Sequence, residues 1–548
     1  MRQAFDSLVN VGGVGTARLL DDNLAAWNAR WSLVDSARSS ITCQYFCWDK
    51  DVFGMALLGH MYKKAKQDQV QMRLMVDATG DTWGTRGFKS HIGGQDYLQE
   101  LVMTGKAEAR VYHPHWKKVL DQLRRPLSTA IAASNHDKIL EVDGERGITG
   151  GRNIGYEYFV HPDDFKGAWR DTDVYFESKQ AAHALRDAFD IEYGTPWITS
   201  KVRPDLLGNW VKRDLELMGA YALMDNWLKD PPMDAASKRQ LRTSPEAREA
   251  EAAAMVDRAL QQMPSEGIAR PAGVRERRSL LKMARELAGY PELRGSASRP
   301  QPPDRDAEIK ILDKTSSVGV EKDELNAALL QLSKTASKRI VIENPYVVLT
   351  DSLIEGLREA GDRGVEIWLG TNSPSSTDSA VTQAFFLEDW PKLLATIPNL
   401  KIFVATGERK LHAKVAVIDD TVSLVSTYNL DYISQHVNSE VAAVVWSEKF
   451  AADSTSSILR DHADPRNGVV EYRILRDAQG QPCRSDGQPV LDAKGELVGQ
   501  PEVVYGPENH LTKEMLDSYK SKRARWSFLR KHVPQLASLE TLKIRGRG

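Results

Sequence analysis

The chain has 548 residues, 41% of them hydrophobic and 27% charged, with a formal net charge of −2. That length suits more than one domain or one large duplicated unit, and the near-neutral balance disfavours a partner held by polyanion attraction. Cys43, Cys47 and Cys483 make neither a disulfide framework nor a metal knuckle.

From the N-terminus, MRQAFDSLVNVGG lacks the apolar core of a signal peptide. No stretch reaches the ~18 consecutive apolar residues of a membrane-spanning helix, so the chain reads as soluble or peripherally bound. LLDDNLAAWNARWSLVDSARSS has helical spacing and ITCQYFCW is a short buried-strand run, in which Cys43 and Cys47 read as core residues. ALLGHMYKKAKQD (helix), VQMRLMVDA (strand), DYLQELVMTG (helix) and AEARVYHP (strand) follow. The second half repeats this order: DELNAALLQLSKTASK as helix, RIVIENPYVV as strand, SLIEGLREAGDRG as helix, VEIWLGTNS as strand, DWPKLLATIPN as helix and LKIFVAT as strand. Alternating strands and helices predict an α/β sheet with helices on its faces, and the repeated order predicts an internal duplication. Residues 203–310 break the pattern with charged, alanine-rich helix and a linker, GSASRPQPPDRDA. After about residue 466 come a polar, glycine-rich meander and a basic segment with aromatics, YKSKRARWSFLRKH. The expected units are 1–202, 203–310, 311–465 and 466–548.

Each half ends in the same constellation. His136, Lys138, Asp143 and Asn153 recur as His412, Lys414, Asp419 and Asn429, at offsets of two, seven and seventeen from the histidine in both copies. Residues two apart on an extended strand share a face, so each histidine and its lysine enter one space. The aspartates have the wrong parity for that face and open turns, which makes them structural. One such motif is weak evidence; two in matching context point to a single site. A phosphodiester needs its charged oxygens neutralised, an in-line nucleophile and a proton for the leaving oxygen. Lys138, Lys414, Asn153 and Asn429 suit the first need. One neutral imidazole can attack phosphorus to form a phosphohistidine, and the other can serve as acid and then base. No metal ligand set is required.

These residues resemble the phospholipase D superfamily, whose signature is a paired His-x-Lys-x4-Asp motif followed by a Gly-Ser-x-Asn-type element. GGRNIGYEYF, ENPYVVLTDSLIEGLREAGDRGVEIWLGTNSPSSTDS and NLDYISQHVNSEV are similar to bacterial cardiolipin synthases of the C-type subgroup. The resemblance covers about residues 15–465. It implies a duplicated α/β sandwich of two pseudo-twofold-related mixed sheets flanked by helices, with one active site between the halves. It also implies a carboxylate behind each histidine: Glu440 in the second copy, and Asp171 in the first with Asp173 as the alternative. His136 would be the nucleophile and His412 the acid and base. The small hydroxyl residue of the Gly-Ser-x-Asn element, expected near substrate phosphate, is Thr427 in the second copy and Gly151 in the first. Asn135 and Asp137 flank His136 where the subgroup often has Met and Asn.

The implied activity is transfer of a phosphatidyl group from phosphatidylglycerol or phosphatidylethanolamine to phosphatidylglycerol, with no cofactor. The implied place is the periphery of a bacterial inner membrane or envelope. Lys520, Lys522, Arg523, Arg525, Trp526, Phe528, Arg530 and Lys531 suit an anionic lipid surface; a solvated helix packing Trp526 and Phe528 inward is the other reading. The competing functions are a phospholipase D yielding phosphatidic acid, an endonuclease or other phosphodiesterase, and an inactive scaffold that binds through 203–310. Near-neutral charge counts against nucleic acid.

Overall fold

The computed structural model describes residues 1–9, 12–83, 96–124, 130–203 and 212–532. Its strands are β1 (Gly12–Leu20), β2 (Ser40–Tyr45), β3 (Gln71–Asp77), β4 (Ala107–Tyr112), β5 (Ile139–Val142), β6 (Arg146–Gly150), β7 (Asp173–Glu177) and β8 (Thr199–Lys201) in the first half. β9 (Arg305–Lys314), β10 (Arg339–Glu343), β11 (Glu366–Asn372), β12 (Leu400–Ala405), β13 (Val415–Ile418), β14 (Val422–Ser426), β15 (Glu440–Trp446) and β16 (Val470–Ile474) make the second, with a short β17 (Val503–Tyr505) beyond it.

Strand pairing gives the duplication its exact form. The first half runs β8-β4-β3-β2-β5-β6-β7-β1 and the second β9-β15-β14-β13-β10-β11-β12-β16. Reversing one order reproduces the other with β1 matched to β9, β7 to β15 and so outward. In each half the three βα-connected strands are parallel (β2-β3-β4 and β10-β11-β12) and the rest antiparallel, as short hairpin connections against helical crossovers require. The two mixed sheets are joined edge to edge where β1 pairs with β9.

Helices Asn23–Asp35, Val52–Lys66, Glu324–Thr335 and Asp351–Asp362 fall on the stretches that read as helical. Helix Ala380–Thr396 is longer than DWPKLLATIPN, starting nine residues earlier and carrying Pro391 in its interior. One apolar cluster lies between the halves and draws from both, including Phe176 and Leu185 from the first and Val417, Val425 and Phe450 from the second. Two further clusters fill the outer sides of the sheets.

Residues 214–288 are helical: Asp214–Lys229, Ala235–Thr243, Pro245–Gln262 and Val274–Ala288. The first of these is apolar on nearly every side and packs on helix Val52–Lys66, with Leu217, Met224 and Trp227 inside the first half's core. The latter part of GSASRPQPPDRDA is not a linker. β9 begins at Arg305 because Ala307, Ile309 and Ile311 alternate into the core while the strand is held between β1 and β15. The meander at 477–501 forms successive tight turns, with Asp477 and Asp492 each accepting backbone N–H bonds inside their own turn. Helix Lys513–His532 packs against helix Ala380–Thr396, and Tyr519 Oη donates to Pro374 O at 3.2 Å. Of the basic and aromatic side chains expected at a membrane there, Arg523, Arg525, Trp526, Phe528, Arg530 and Lys531 lie outside the described side chains. No described helix is long and apolar enough to cross a membrane.

Candidate active site

The histidine motifs lead into β5 and β13, the inner strands of each half. Both hairpins close on two residues with positive φ, Asp143 (59°) and Gly144 (72°) in one and Asp419 (53°) and Asp420 (57°) in the other. Each pair makes a turn twisted like its strands, closed by Glu145 N–H to Val142 O at 3.1 Å and Thr421 N–H to Ile418 O at 3.2 Å, within a three-residue connection between Val142 and Arg146 or Ile418 and Val422. Asp143 accepts the N–H groups of Arg38, Ser39 and Ser40 at 2.8–2.9 Å, and Asp419 accepts those of Ser337, Lys338 and Arg339 at 2.8–3.2 Å. Each aspartate therefore ties its hairpin to the start of the neighbouring strand, away from the histidines.

Across the molecular pseudo-twofold the histidines take their carboxylates from the opposite half. His136 Nδ1 lies 3.0 and 2.9 Å from the two oxygens of Glu440, and His412 Nδ1 lies 2.6 Å from Asp171 Oδ2. The backbone enforces the exchange. Asn135 bridges to Ser439, beside Glu440, and His136 N donates to Ser439 O at 3.2 Å. Leu411 bridges to Arg170, beside Asp171, and His412 N donates to Arg170 O at 2.7 Å. Of the two candidates in the first copy, Asp171 meets the histidine. Asp173 is buried in an ion-pair cluster with Arg30 at 2.9 Å and Arg152 at 3.0 Å.

Both lysines fold back on their histidines. Lys138 Nζ donates to His136 O at 2.7 Å; Lys414 Nζ donates to His412 O and stands 3.0 Å from His412 Nδ1. Burial lowers the proton affinity of Lys138. Burial brings Lys414 down to about 7, with Asp171 opposing and Lys138 adding to the fall. The two ammonium groups thus share one field. His412 is held down to about 4 by burial and by Lys414, against the pull of Asp171. Burial pushes Asp171 up, but His412 and Lys414 outweigh it and keep the carboxyl below its usual range. The resting pair is a neutral imidazole donating Nδ1–H to a carboxylate.

The remaining site residues separate by half. Thr427 Oγ1 donates to Glu440 Oε2 at 2.5 Å and Ser434 Oγ to Oε1 at 2.6 Å. Thr427, expected near phosphate, has its proton directed at the carboxylate behind His136. Gly151 spends its N–H on Thr172 O at 3.0 Å, and a Cβ there would collide with Asp171 Oδ1. It contributes room for Asp171 and offers substrate no donor. Asn153 is likewise engaged: its Oδ1 accepts from Cys47 N at 3.1 Å and its Nδ2 donates to Tyr158 Oη at 3.0 Å. Asn429 is fully buried, and among the described residues neither amide atom has a partner.

Sequence reasoning missed the aromatic frame. Phe46 meets the His136 ring edge-on at 5.0 Å, whereas Trp169 (5.0 Å) and Tyr158 (5.5 Å) flank His412. Tyr158 and Trp169 lie within GGRNIGYEYF and just before Asp171, but aromatic spacing there also fits plain core packing. Asp137 is fully buried, accepts from Gln44 Nε2 at 2.9 Å and Ser439 Oγ at 3.2 Å, and is pushed well above the usual carboxyl range by burial and by Asp313, Glu192 and Glu440. It supports the motif from the face opposite His136.

Residues 329–461 match the family model described as "Cardiolipin synthase, PLD-like domain". The chain is 25% identical over 458 residues to Cardiolipin synthase C of Escherichia coli (strain K12), covering 79% of this chain and 81% of that protein. It is 21% identical over 443 residues to Major cardiolipin synthase ClsA of Bacillus subtilis (strain 168), covering 81% and 68%. Its fold is that of the phosphatidylserine synthase of Haemophilus influenzae Rd KW20, with a TM-score of 0.52 at 12% identity over 86% of this chain and 91% of that one. A duplicated α/β fold with two crossed histidine–carboxylate pairs and these matches make the chain similar to proteins of the phospholipase D superfamily. Within that superfamily it is similar to the bacterial cardiolipin synthases.

Proposed function

We propose that the chain is a phosphatidyltransferase of the cardiolipin synthase type, passing a phosphatidyl group from phosphatidylglycerol or phosphatidylethanolamine to the hydroxyl of phosphatidylglycerol. The crossed pairing carries this reading: each histidine is completed by the other half, so the two motifs make one two-histidine site. Similarity to Cardiolipin synthase C over most of the chain supports the substrate class.

His136 Nε2 attacks phosphorus while Glu440 orients the ring and stabilises its developing charge. The phosphorus–oxygen bond to the leaving alcohol breaks and His412 gives that oxygen a proton. His412 is neutral in the empty site, and the phosphodiester's negative charge, arriving beside it, raises its proton affinity. His412 then takes the proton of the acceptor hydroxyl, whose oxygen attacks phosphorus and breaks the phosphorus–nitrogen bond. Lys138, Lys414 and the Asn429 amide stabilise the non-bridging oxygens through both steps.

Purified protein incubated in EDTA with phosphatidylglycerol, with and without phosphatidylethanolamine, tests this by mass spectrometry of lipid products. Cardiolipin from wild type and none from His136→Ala or His412→Ala is the expected result. Phosphatidic acid alone would make the protein a hydrolase, with water as acceptor in the same chemistry. No lipid product at all would overturn the reading.

A further inference from the structure

Helix His115–Arg124 is amphipathic in the reverse of the usual sense. Lys117, Lys118 and Asp121 turn inward, while Arg124 at its end is exposed. Lys117 Nζ donates to Pro196 O at 2.8 Å and Thr199 O at 2.7 Å, and Lys118 Nζ donates to Ala133 O at 2.5 Å. Asp121 meets His113 Nε2 at 3.1 Å. Its apolar side chains face solvent at helical spacing: Trp116 is 61% exposed, Val119 53% and Leu123 72%, with Leu120 beside them. Trp197, 62% exposed, extends the surface, since it sits between the two carbonyls that hold Lys117.

Burial normally takes the apolar stripe of a helix inward. Here two buried ammonium groups, satisfied by carbonyls, fix the opposite orientation. The duplicated site does not need this element. In the second half the chain runs from β12 through residues 406–410 directly to Leu411 and His412, whereas the first half inserts residues 113–134 between β4 and the matching point. The insertion is also tied to the site, because Lys118 holds the carbonyl of Ala133, three residues before His136.

We infer that this helix is a bilayer-docking surface that seats the protein on a phospholipid membrane with the first histidine motif directly behind it. The inference rests on the phospholipid reading of the site. A water-facing apolar stripe edged by tryptophans suits the headgroup–acyl boundary, where a helix lies in the plane with its apolar face down. Continuity between patch and site favours a bilayer over a second copy of the chain.

The experiment uses the full chain, wild type and Trp116→Glu/Leu123→Glu, with three readouts: flotation with phosphatidylglycerol vesicles, turnover of vesicle lipid, and turnover of a short-chain phosphatidylglycerol below its micelle concentration. The variant is expected to lose at least about tenfold in vesicle partition and in vesicle turnover, with short-chain turnover unchanged. Trp116→Phe/Leu123→Ile should float as wild type does, which separates apolar contact from folding. Equal flotation of wild type and the glutamate variant overturns the inference. So does a variant that only converts a dimer to a monomer by light scattering, since a second copy then covers the face. Wild type that floats through this helix yet converts no lipid of either kind would instead remove the proposed function and leave the docking surface standing.

Discussion

The two halves share strand order, motif spacing and hairpin geometry, yet they support their histidines differently. Behind His136 stands a glutamate that collects two hydroxyl donors, Thr427 and Ser434. Behind His412 stands the shorter aspartate, which reaches the ring only because Gly151 vacates the space beside it. The asparagines diverge as well: Asn153 is tied to Cys47 and Tyr158, while Asn429 has no partner among the described residues. Duplication supplied two equal halves, and the differences fit a reaction in which the two imidazoles do unlike work.

The largest effects should come from breaking the crossed pairs. Asp171→Asn and Glu440→Gln keep shape but cannot stabilise an imidazolium, and each is expected to lower phosphodiester turnover by about 10²–10⁴-fold. The comparison sharpens with a substrate whose alcohol leaves without a proton, such as a nitrophenyl phosphodiester. In the first-turnover burst of alcohol release, Asp171→Asn should then recover most of its rate, because that step no longer needs His412 as acid, while Glu440→Gln should not. Recovery by Glu440→Gln instead would exchange the roles of the two halves.

A smaller contrast separates the asparagines. Asn429→Ala should reduce kcat by about 10²-fold through loss of an oxygen contact, with thermal unfolding unchanged because no described bond is lost. Asn153→Ala removes two hydrogen bonds of the resting fold and should cost about 1–2 kcal/mol in denaturant unfolding. Equal destabilisation by both would show that Asn429 also holds the fold. The hairpin aspartates should behave alike: Asp143→Ala and Asp419→Ala each orphan three backbone N–H groups, at about 1–3 kcal/mol of stability, with turnover per folded molecule retained. Loss of turnover at full stability would overturn their structural role.

The order of strands and helices was legible because period-two and period-3.6 patterns alternate twice in the same sequence. The histidines and lysines were legible because the same offsets recur, and the hairpin aspartates because of parity. Exchange of carboxylates was not, since no local pattern tells which half Asp171 and Glu440 face; that follows from the bridges Asn135–Ser439 and Arg170–Leu411. Thr427 looked like a phosphate donor because a hydroxyl reads the same whether it faces substrate or a buried carboxylate. The helix at 115–124 shows why periodicity is incomplete evidence: Trp116, Val119, Leu120 and Leu123 mark a stripe, but only the carbonyls around Lys117 and Lys118 decide that it points outward. The β9 segment was hidden by the prolines just before it.

The smallest expected effect is a pH profile that reads the electrostatic difference between the histidines and the lysines. kcat/KM reports groups of the unliganded enzyme. Lys414 is lowered to about 7, chiefly by burial, so its ammonium is present below that pH and lost as pH rises through it. His412, held at about 4 by burial and by Lys414, must gain a proton to act as acid, so it gives kcat/KM a steady fall above that pH with no break of its own near 7. With a short-chain substrate, the fall of kcat/KM should therefore steepen into a second limb above about pH 7, with kcat falling less because the bound phosphodiester restores the ammonium. Lys414→Arg, whose guanidinium stays charged, should flatten that limb even if its absolute rate is lower. A limb that persists in Lys414→Arg would assign the titration to another group and remove Lys414 as the charge that senses pH.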